Sequence, residues 1–140
     1  MAYNVIDYNT ILIRLAIATA FGILIGYERE HMKKPAGVRT MALVSMGATL
    51  FTLLSFEYLD TVSASRVVAN IVLGIGFLGA GTIFRDHEHV RGVTTAATVW
   101  VMAGVGTAVG LGLYFISLVA TIIIFVILNL DKLNLKKKRI

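Results

Sequence analysis

The sequence predicts an all-α, single-domain protein built as a bundle of about five membrane-spanning helices. Three observations support this prediction. The 140-residue chain is 57% hydrophobic and only 15% charged, and its mean hydropathy is +0.82. Long uncharged apolar runs dominate it, which is typical of chains that cross a bilayer. Finally, nearly all Lys and Arg residues fall in three segments that five crossings place on one side of the membrane.

The apolar runs define the predicted spans. We predict spans near residues 9–27, 41–58, 67–84, 93–107 and 113–130, followed by a basic tail at residues 131–140. The fourth span is shorter than the roughly 20 residues that a helix needs to cross the hydrocarbon at full thickness. Four alternatives are therefore open for it: a smaller tilt, an extension through residues 108–110, a re-entrant segment, or a bent hairpin formed together with the fifth span.

The distribution of Lys and Arg predicts the orientation. Four of them lie in the loop after the first span, two in the loop after the third, and five in the tail, whereas Arg66 stands alone on the opposite side. Because cytoplasmic loops carry an excess of these residues, we expect the N-terminus outside and the C-terminus in the cytoplasm. The tail is expected to bind anionic membrane lipid at about 1 kcal/mol per basic residue, with no soluble domain after it.

Glycines recur inside the predicted spans. Gly74, Gly76 and Gly79 match the Gly-x-Gly-x-x-Gly dinucleotide fingerprint, but that fingerprint requires a preceding strand and a following polar helix. Within an apolar span, such glycines are better explained as small residues that let helices approach closely. We predict a homo-oligomer, with a dimer favoured. Helix packing is predicted at Gly22, Gly26, Gly74, Gly76, Gly79 and Gly81.

Among the polar residues inside predicted spans, we single out Arg14, Asn70 and Thr98. A cation at a helix centre costs at least ~2.5–3.5 kcal/mol. We therefore expect Arg14 either to reach lipid headgroups or to pair with Glu57 or Asp60. Asn70 and Thr98 are expected to make interhelical hydrogen bonds, each worth about 0.6 kcal/mol.

The turns after the first and third spans place basic residues beside the start of the next helix. Helix N-termini present free N–H groups and a positive dipole end, and threonines at these starts are natural N-caps. This combination favours an anion site for phosphate, a carboxylate or a lipid headgroup. The alternative is internal pairing with the acidic residues of the same turns. The predicted site comprises Arg29, Arg39, Thr40, Arg91, Thr94 and Thr95, with Thr40 and either Thr94 or Thr95 as the N-caps.

The titratable residues favour neither catalysis nor a metal centre. His87 and His89 are two residues apart, whereas two ligands on one helix face need a spacing of three or four. Carboxylates of the two turns suit Mg²⁺, but basic residues interleave with them, so Mg²⁺ stays an open alternative. There is no cysteine and no catalytic motif such as a P-loop or HExxH. We expect no enzyme, no resident cofactor and no nucleic-acid partner.

Four ordered motifs resemble those of the MgtC/SapB family of small bacterial and archaeal membrane proteins. They are GYERE at residues 26–30, AGVRT at 36–40, GIGFLGAG at 74–81 and VRGVTTAATVW at 90–100. The resemblance covers nearly the whole chain, although some members carry Asn at the position of Thr94. The residues that match the family's motifs are Glu28, Arg29, Gly37, Arg39, Thr40, Gly76, Gly79, Gly81, Arg91, Gly92, Thr94 and Thr95.

The resemblance implies an accessory or regulatory protein of the plasma (inner) membrane. In that family the implied role is growth at low magnesium, with virulence in some members, exerted through contact with ATP synthase or a small membrane peptide. Two other functions stay open. One is a transporter or channel for Mg²⁺ or another small ion, although no acidic residue lies deep in a predicted span, where a divalent path normally has acidic rings. The other is a sensor of an anionic metabolite or lipid headgroup.

Overall fold

Five α-helices and a β-hairpin follow one another in the computed structural model, which describes residues 6–86 and 89–137, with side chains for 6–85 and 89–130. The elements are α1 (Tyr8–His31), α2 (Val38–Tyr58), α3 (Thr61–Ala80), β1 (Phe84–Asp86), β2 (His89–Arg91), α4 (Val93–Gly110) and α5 (Tyr114–Lys137). Helices α1 to α4 are long and apolar enough to cross a membrane, whereas the apolar part of α5, Tyr114–Leu130, is shorter. The predicted all-α membrane fold is confirmed, and its orientation stays a prediction.

The third helix begins six residues earlier and ends four residues earlier than predicted. Its polar first turn is helical because the Asp60 carboxylate caps it, accepting hydrogen bonds from the backbone N–H of Val62 at 3.0 Å and of Ser63 at 3.1 Å. Arg66, expected in a loop, therefore lies on α3. The fourth helix runs to Gly110, as in the extended alternative, and is separated from α5 by a turn in which Gly112 has a φ of +79°.

The β-hairpin between α3 and α4 was not predicted. Its strands pair antiparallel, with Phe84 opposite Arg91 and Arg85 opposite Val90. Three-residue strands bearing charges lack the alternating apolar pattern by which strands are recognised in a sequence, so only the structure shows them. His87, considered above as a ligand candidate, and Glu88, one of the carboxylates between the third and fourth spans, lie outside the described residues.

The core lies where α2 packs between α1 and α4. Ile25, Met41, Val99 and Met102 are buried there. Close approach of α1 to α2 requires glycine: a Cβ on Gly22 would lie 2.5 Å from the Ala42 Cα, and one on Gly26 would lie 2.5 Å from the Val38 Cα. A Cβ on Gly106 of α4 would collide with the Ser45 carbonyl oxygen of α2. No side chain fits between these backbones.

Helix α3 buries fewer residues than α1, α2 or α4 does. Only Ala64 and Gly79 are buried along it, and a Cβ on Gly79 would meet the Ala96 carbonyl oxygen of α4 at 3.3 Å. A Cβ on Gly74 or Gly76 would have no neighbour within 4 Å. Close packing at those two glycines within the described chain is therefore wrong, because no other helix lies against them. Contact with a second copy stays a prediction.

Gly81 does not bring two helices together either. A Cβ added there would meet only the carbonyl oxygens of Leu78, at 3.3 Å, and Phe77, at 3.8 Å, both of its own helix. The residue follows the last residue of α3, and its backbone N–H donates to the Phe77 carbonyl oxygen. It therefore serves the turn that ends α3, which corrects the predicted packing role.

Candidate functional site

The end of α1 holds a buried ion pair. The Nε of Arg29 donates to the Oε2 of Glu28, and the two residues are only 3% and 4% exposed. Arg29 was predicted as a group of the anion site. In the structure its guanidinium is engaged inside the protein by the preceding residue.

A carboxylate of α1 caps the start of α2. The Oε2 of Glu30 accepts a hydrogen bond from the backbone N–H of Val38 at 3.0 Å, where the helix dipole favours negative charge. Gly37 makes this contact possible, because a Cβ there would lie 2.6 Å from the same oxygen. The predicted N-cap at Thr40 is wrong, since α2 begins at Val38 and Gly37 is the capping residue. Glu30 thus already places a carboxylate where an external anion would bind.

The start of α4 is built differently. Its capping residue, Gly92, has a φ of +90° and no side chain to accept a hydrogen bond, and a Cβ there would collide with the Thr82 carbonyl oxygen. The predicted N-caps Thr94 and Thr95 are wrong, because both lie inside the first turn of the helix. Thr95 is buried at 1% exposure, whereas Thr94 is exposed.

Two cations of the predicted anion site are exposed. Arg39 follows the start of α2, and Arg91 ends β2 immediately before α4. Neither makes a hydrogen bond or ion pair within the part of the chain that the structure describes. The structure therefore separates the predicted set into buried Arg29 and Thr95 and exposed Arg39, Thr40, Arg91 and Thr94. Anion binding by the exposed group stays a prediction.

Arg14 binds the far end of the same α4 helix. Its Nη1 donates to the Gly110 carbonyl oxygen at 2.6 Å, and its Nε donates to the Tyr114 hydroxyl at 3.2 Å. The last carbonyls of a helix lack partners within it and carry partial negative charge, so a cation there is stabilised. The predicted partners Glu57 and Asp60 are wrong: Glu57 accepts from the Ile6 backbone N–H, and Asp60 caps α3.

Thr98 and Asn70 also depart from prediction. The Thr98 hydroxyl donates to the Thr94 carbonyl oxygen of its own helix at 2.7 Å, so the predicted interhelical bond is wrong. Threonine in a helix readily bonds the carbonyl four residues back. Asn70 is exposed on α3 and has no hydrogen bond among the described residues. Its expected interhelical bond is therefore absent from this part of the chain.

An interhelical hydrogen bond that sequence reasoning missed joins α2 to α4. The hydroxyl of Thr49, which is fully buried, donates to the Gly106 carbonyl oxygen at 2.7 Å and to the Ser45 carbonyl oxygen at 3.0 Å. The available signal was a threonine in one span and a glycine in another, since a helix without a side chain at one position exposes its backbone. That signal does not say which threonine meets which glycine.

Among the residues with described side chains, no group of three or more His, Asp or Glu residues comes together to hold a metal ion. The side chains of Asp86, His87 and Glu88 fall outside that description. The possible Mg²⁺ site on the two turns therefore stays untested.

Comparison with known proteins identifies close relatives. The MgtC family profile matches residues 15–136. Protein MgtC of Salmonella typhimurium (strain LT2) is 49% identical over 113 residues, which is 81% of this chain and 48% of that protein. Protein MgtC of Brucella abortus (strain 2308) is 47% identical over the same shares of the two chains. The chain thus spans about half the length of these relatives. No solved structure matches it.

Proposed function

The chain belongs to the MgtC family, and from that premise we propose that it is an accessory or regulatory membrane protein for adaptation to low magnesium. It acts in the plasma membrane of a bacterium or archaeon through contacts with other membrane proteins, without catalysis and without a resident cofactor. The similarity to proteins named MgtC over 81% of the chain carries the proposal. Because the chain spans about half of those relatives, their whole activity comes to it only as part of this proposal.

The contacts of three charged residues support an accessory role. Arg14 donates to a backbone carbonyl oxygen, Arg29 pairs with Glu28, and Glu30 caps α2. Each of these groups stabilises the helix arrangement. A divalent-cation path instead needs acidic side chains or free carbonyl oxygens aimed at a pore.

The outer surface of α3 supports action by helix contact. Leu73 is 78% exposed and Phe77 is 83% exposed, on a helix whose buried residues are Ala64 and Gly79. ATP synthase and a small membrane peptide are the partners that family resemblance implies. A helix of either partner would contact this surface through dispersion forces and small-residue approach, the forces that associate helices within a bilayer.

Growth and flux measurements together test the proposed function. A bacterial strain lacking its own MgtC is given this chain, and growth is compared at limiting and ample magnesium. We expect rescue only at limiting magnesium, and no Mg²⁺ flux above protein-free liposomes from the purified protein. A failure to rescue, with the protein present in the membrane, contradicts the proposal. Rescue accompanied by Mg²⁺ flux favours the transporter instead.

Ligand stabilisation tests the sensor alternative. The observation that favours this alternative is the exposed Arg91 beside a helix start that has no side-chain cap. The thermal midpoint of the purified protein is measured with inorganic phosphate and with phosphatidylglycerol. A midpoint that rises with either ligand in wild type, and less in Arg91→Lys, favours sensing, because lysine keeps the charge but loses the planar fork of arginine. Arg39→Lys is the matched variant at α2, where Glu30 already fills the helix start, and should change nothing.

A further inference from the structure

A lateral groove of about 450 Å³ separates α2 from α3. Its α2 wall carries Leu43 and Gly47, and its α3 wall carries Asn70, Gly74 and Leu78. The residues on each wall are four positions apart and so lie along one helix face. A Cβ on Gly47 or on Gly74 would meet nothing within 4 Å. Helix backbone is therefore open to a partner on both walls.

Asn70 places a carboxamide in this groove at the middle of α3. It is the tenth of the 20 residues of α3, which puts it about 14 Å from either end at a rise of 1.5 Å per residue. The residue is exposed and makes no hydrogen bond among the described residues. An amide left unsatisfied in hydrocarbon is costly. The occupant of the groove must therefore offer a hydrogen-bonding group at this depth, which a lipid acyl chain lacks.

We propose that the occupant is a second copy of this chain, docked with its own groove against the first. Copies of one chain share a single orientation in the membrane, so a two-fold axis along the membrane normal sets both Asn70 side chains at the same depth. A carboxamide both donates and accepts, and the two Asn70 amides satisfy each other across the axis. This interface is independent of the proposed function and does not rest on it.

Gly74 supplies the approach that this pairing needs. It lies one turn from Asn70 on the same face, and without a side chain it lets the two α3 helices come close enough for the amides to bond. Gly76 is equally open to added atoms, but it is two positions further along and does not line the groove. The two glycines therefore form a matched pair, of which only Gly74 faces the second copy.

Disulfide trapping tests the geometry. The chain has no cysteine, so Gly74→Cys and Gly76→Cys each carry one reactive thiol. Each purified full chain is reconstituted at low density in vesicles of phosphatidylethanolamine and phosphatidylglycerol and oxidised with copper phenanthroline. We expect a cross-linked dimer several-fold more abundant for Gly74→Cys than for Gly76→Cys. Equal yields, or the reverse order, overturn the proposal, because random collisions do not distinguish the two positions.

Dimer affinity tests the role of the amide. Energy transfer between labelled copies, followed while the vesicles are diluted with lipid, gives the dissociation constant. Asn70→Leu should raise that constant about 3- to 30-fold, the range that one interhelical hydrogen bond supplies, whereas Asn70→Gln should retain most of the affinity. Asn129→Leu is the control, since that amide donates to the Phe125 carbonyl oxygen of its own helix. An unchanged constant for Asn70→Leu overturns the proposal.

Leucine variants at the same two glycines provide a second, independent readout. Gly74→Leu should yield monomers and Gly76→Leu dimers, with equal helix content by circular dichroism. If Gly74→Leu does not fold, the cysteine pair and the Asn70 series still decide. A wild-type chain that is monomeric at every dilution overturns the proposal and leaves the groove to a different membrane protein.

Discussion

The two faces of α2 show that the same residue type can produce opposite packing. Toward α4, Gly106 allows contact so close that Thr49 donates across it to the Gly106 carbonyl oxygen at 2.7 Å. Toward α3, Gly47 and Gly74 line a groove and have no neighbour within 4 Å. A glycine in a membrane helix therefore does not itself predict a contact. At Gly106 the opposing helix also offers a hydrogen-bond donor to the exposed backbone, the Thr49 hydroxyl.

Leucine substitutions at three glycines test this difference between the two faces of α2. Gly106→Leu drives a side chain into backbone of α2 and should cost more than about 3 kcal/mol, at the upper end of overpacking effects. Gly79→Leu meets the Ala96 carbonyl oxygen at 3.3 Å and should cost about 1–3 kcal/mol. Gly74→Leu should change monomer stability by less than about 0.5 kcal/mol. Denaturation midpoints under monomeric conditions give the order, and a Gly74→Leu loss equal to that of Gly106→Leu contradicts it.

Arg14 tests the tightly packed part of the bundle at the end where α1 begins. Arg14→Leu removes the donor to the Gly110 carbonyl oxygen and should destabilise the bundle by about 1.5–3 kcal/mol, as for hydrogen bonds to charged groups. Arg14→Lys retains a cation beside the end of α4 and should lose less. The measurement is the detergent-unfolding midpoint of both variants. Identical midpoints for Arg14→Leu and wild type would show that the guanidinium contributes nothing to the packing of α1 on α4.

Glu30 tests the tightly packed part of the bundle at the opposite end, where α1 ends and α2 begins. Glu30→Ala removes the carboxylate that accepts from the Val38 N–H and should cost about 0.5–2 kcal/mol, the usual range for a lost N-cap. Glu30→Gln keeps an acceptor oxygen without the charge, so its stability should lie between that of wild type and that of Glu30→Ala. Thermal midpoints measure the effect. A Glu30→Gln variant less stable than Glu30→Ala would mean that the contact does not act as a cap.

The smallest of these effects is expected in the first turn of α3, which Asp60 caps. Hydrogen bonds from the side chain and then the backbone of Ser63 hold the pKa of Asp60 below its usual value of 3.8. A lowered folded-state pKa means that the cap contributes stability above the unfolded pKa and loses it as pH falls through the folded pKa, so the loss lies below about pH 4. Amide exchange in the first turn of α3 should rise there, while α2 and α4 stay protected. Asp60→Asn should abolish this pH dependence.

The sequence predicts the helices better than it predicts their ends. Long apolar runs are visible directly, whereas the start of α3 depends on a single carboxylate, Asp60, that makes a polar segment helical. The caps at the other two helix starts were misassigned to threonines. There Gly37 lets Glu30 approach, and Gly92 adopts a φ of +90°, and both are backbone effects that side-chain type does not reveal.

The candidate site was predicted only in part for the same reason. Arg39 and Arg91 are exposed beside helix starts, as their positions in the turns suggest. Arg29 is not, because a neighbouring carboxylate and the packing of α1 bury it. The partner of Arg14 could not be found among acidic residues, since it is a backbone carbonyl oxygen at the end of another helix. Every residue has such an oxygen, and only the fold selects one of them.

The bond between Arg14 and Gly110 also constrains the order of events during synthesis. The two residues are 96 positions apart in the chain. At about 5–20 residues per second, the acceptor emerges from the ribosome about 5–20 s after the arginine does. Throughout that interval the first helix holds a cation whose protein partner does not yet exist, and water or lipid headgroups must solvate it. The N-terminal end of α1 therefore reaches its final place only after α4 has entered the membrane, although α1 is made before α4.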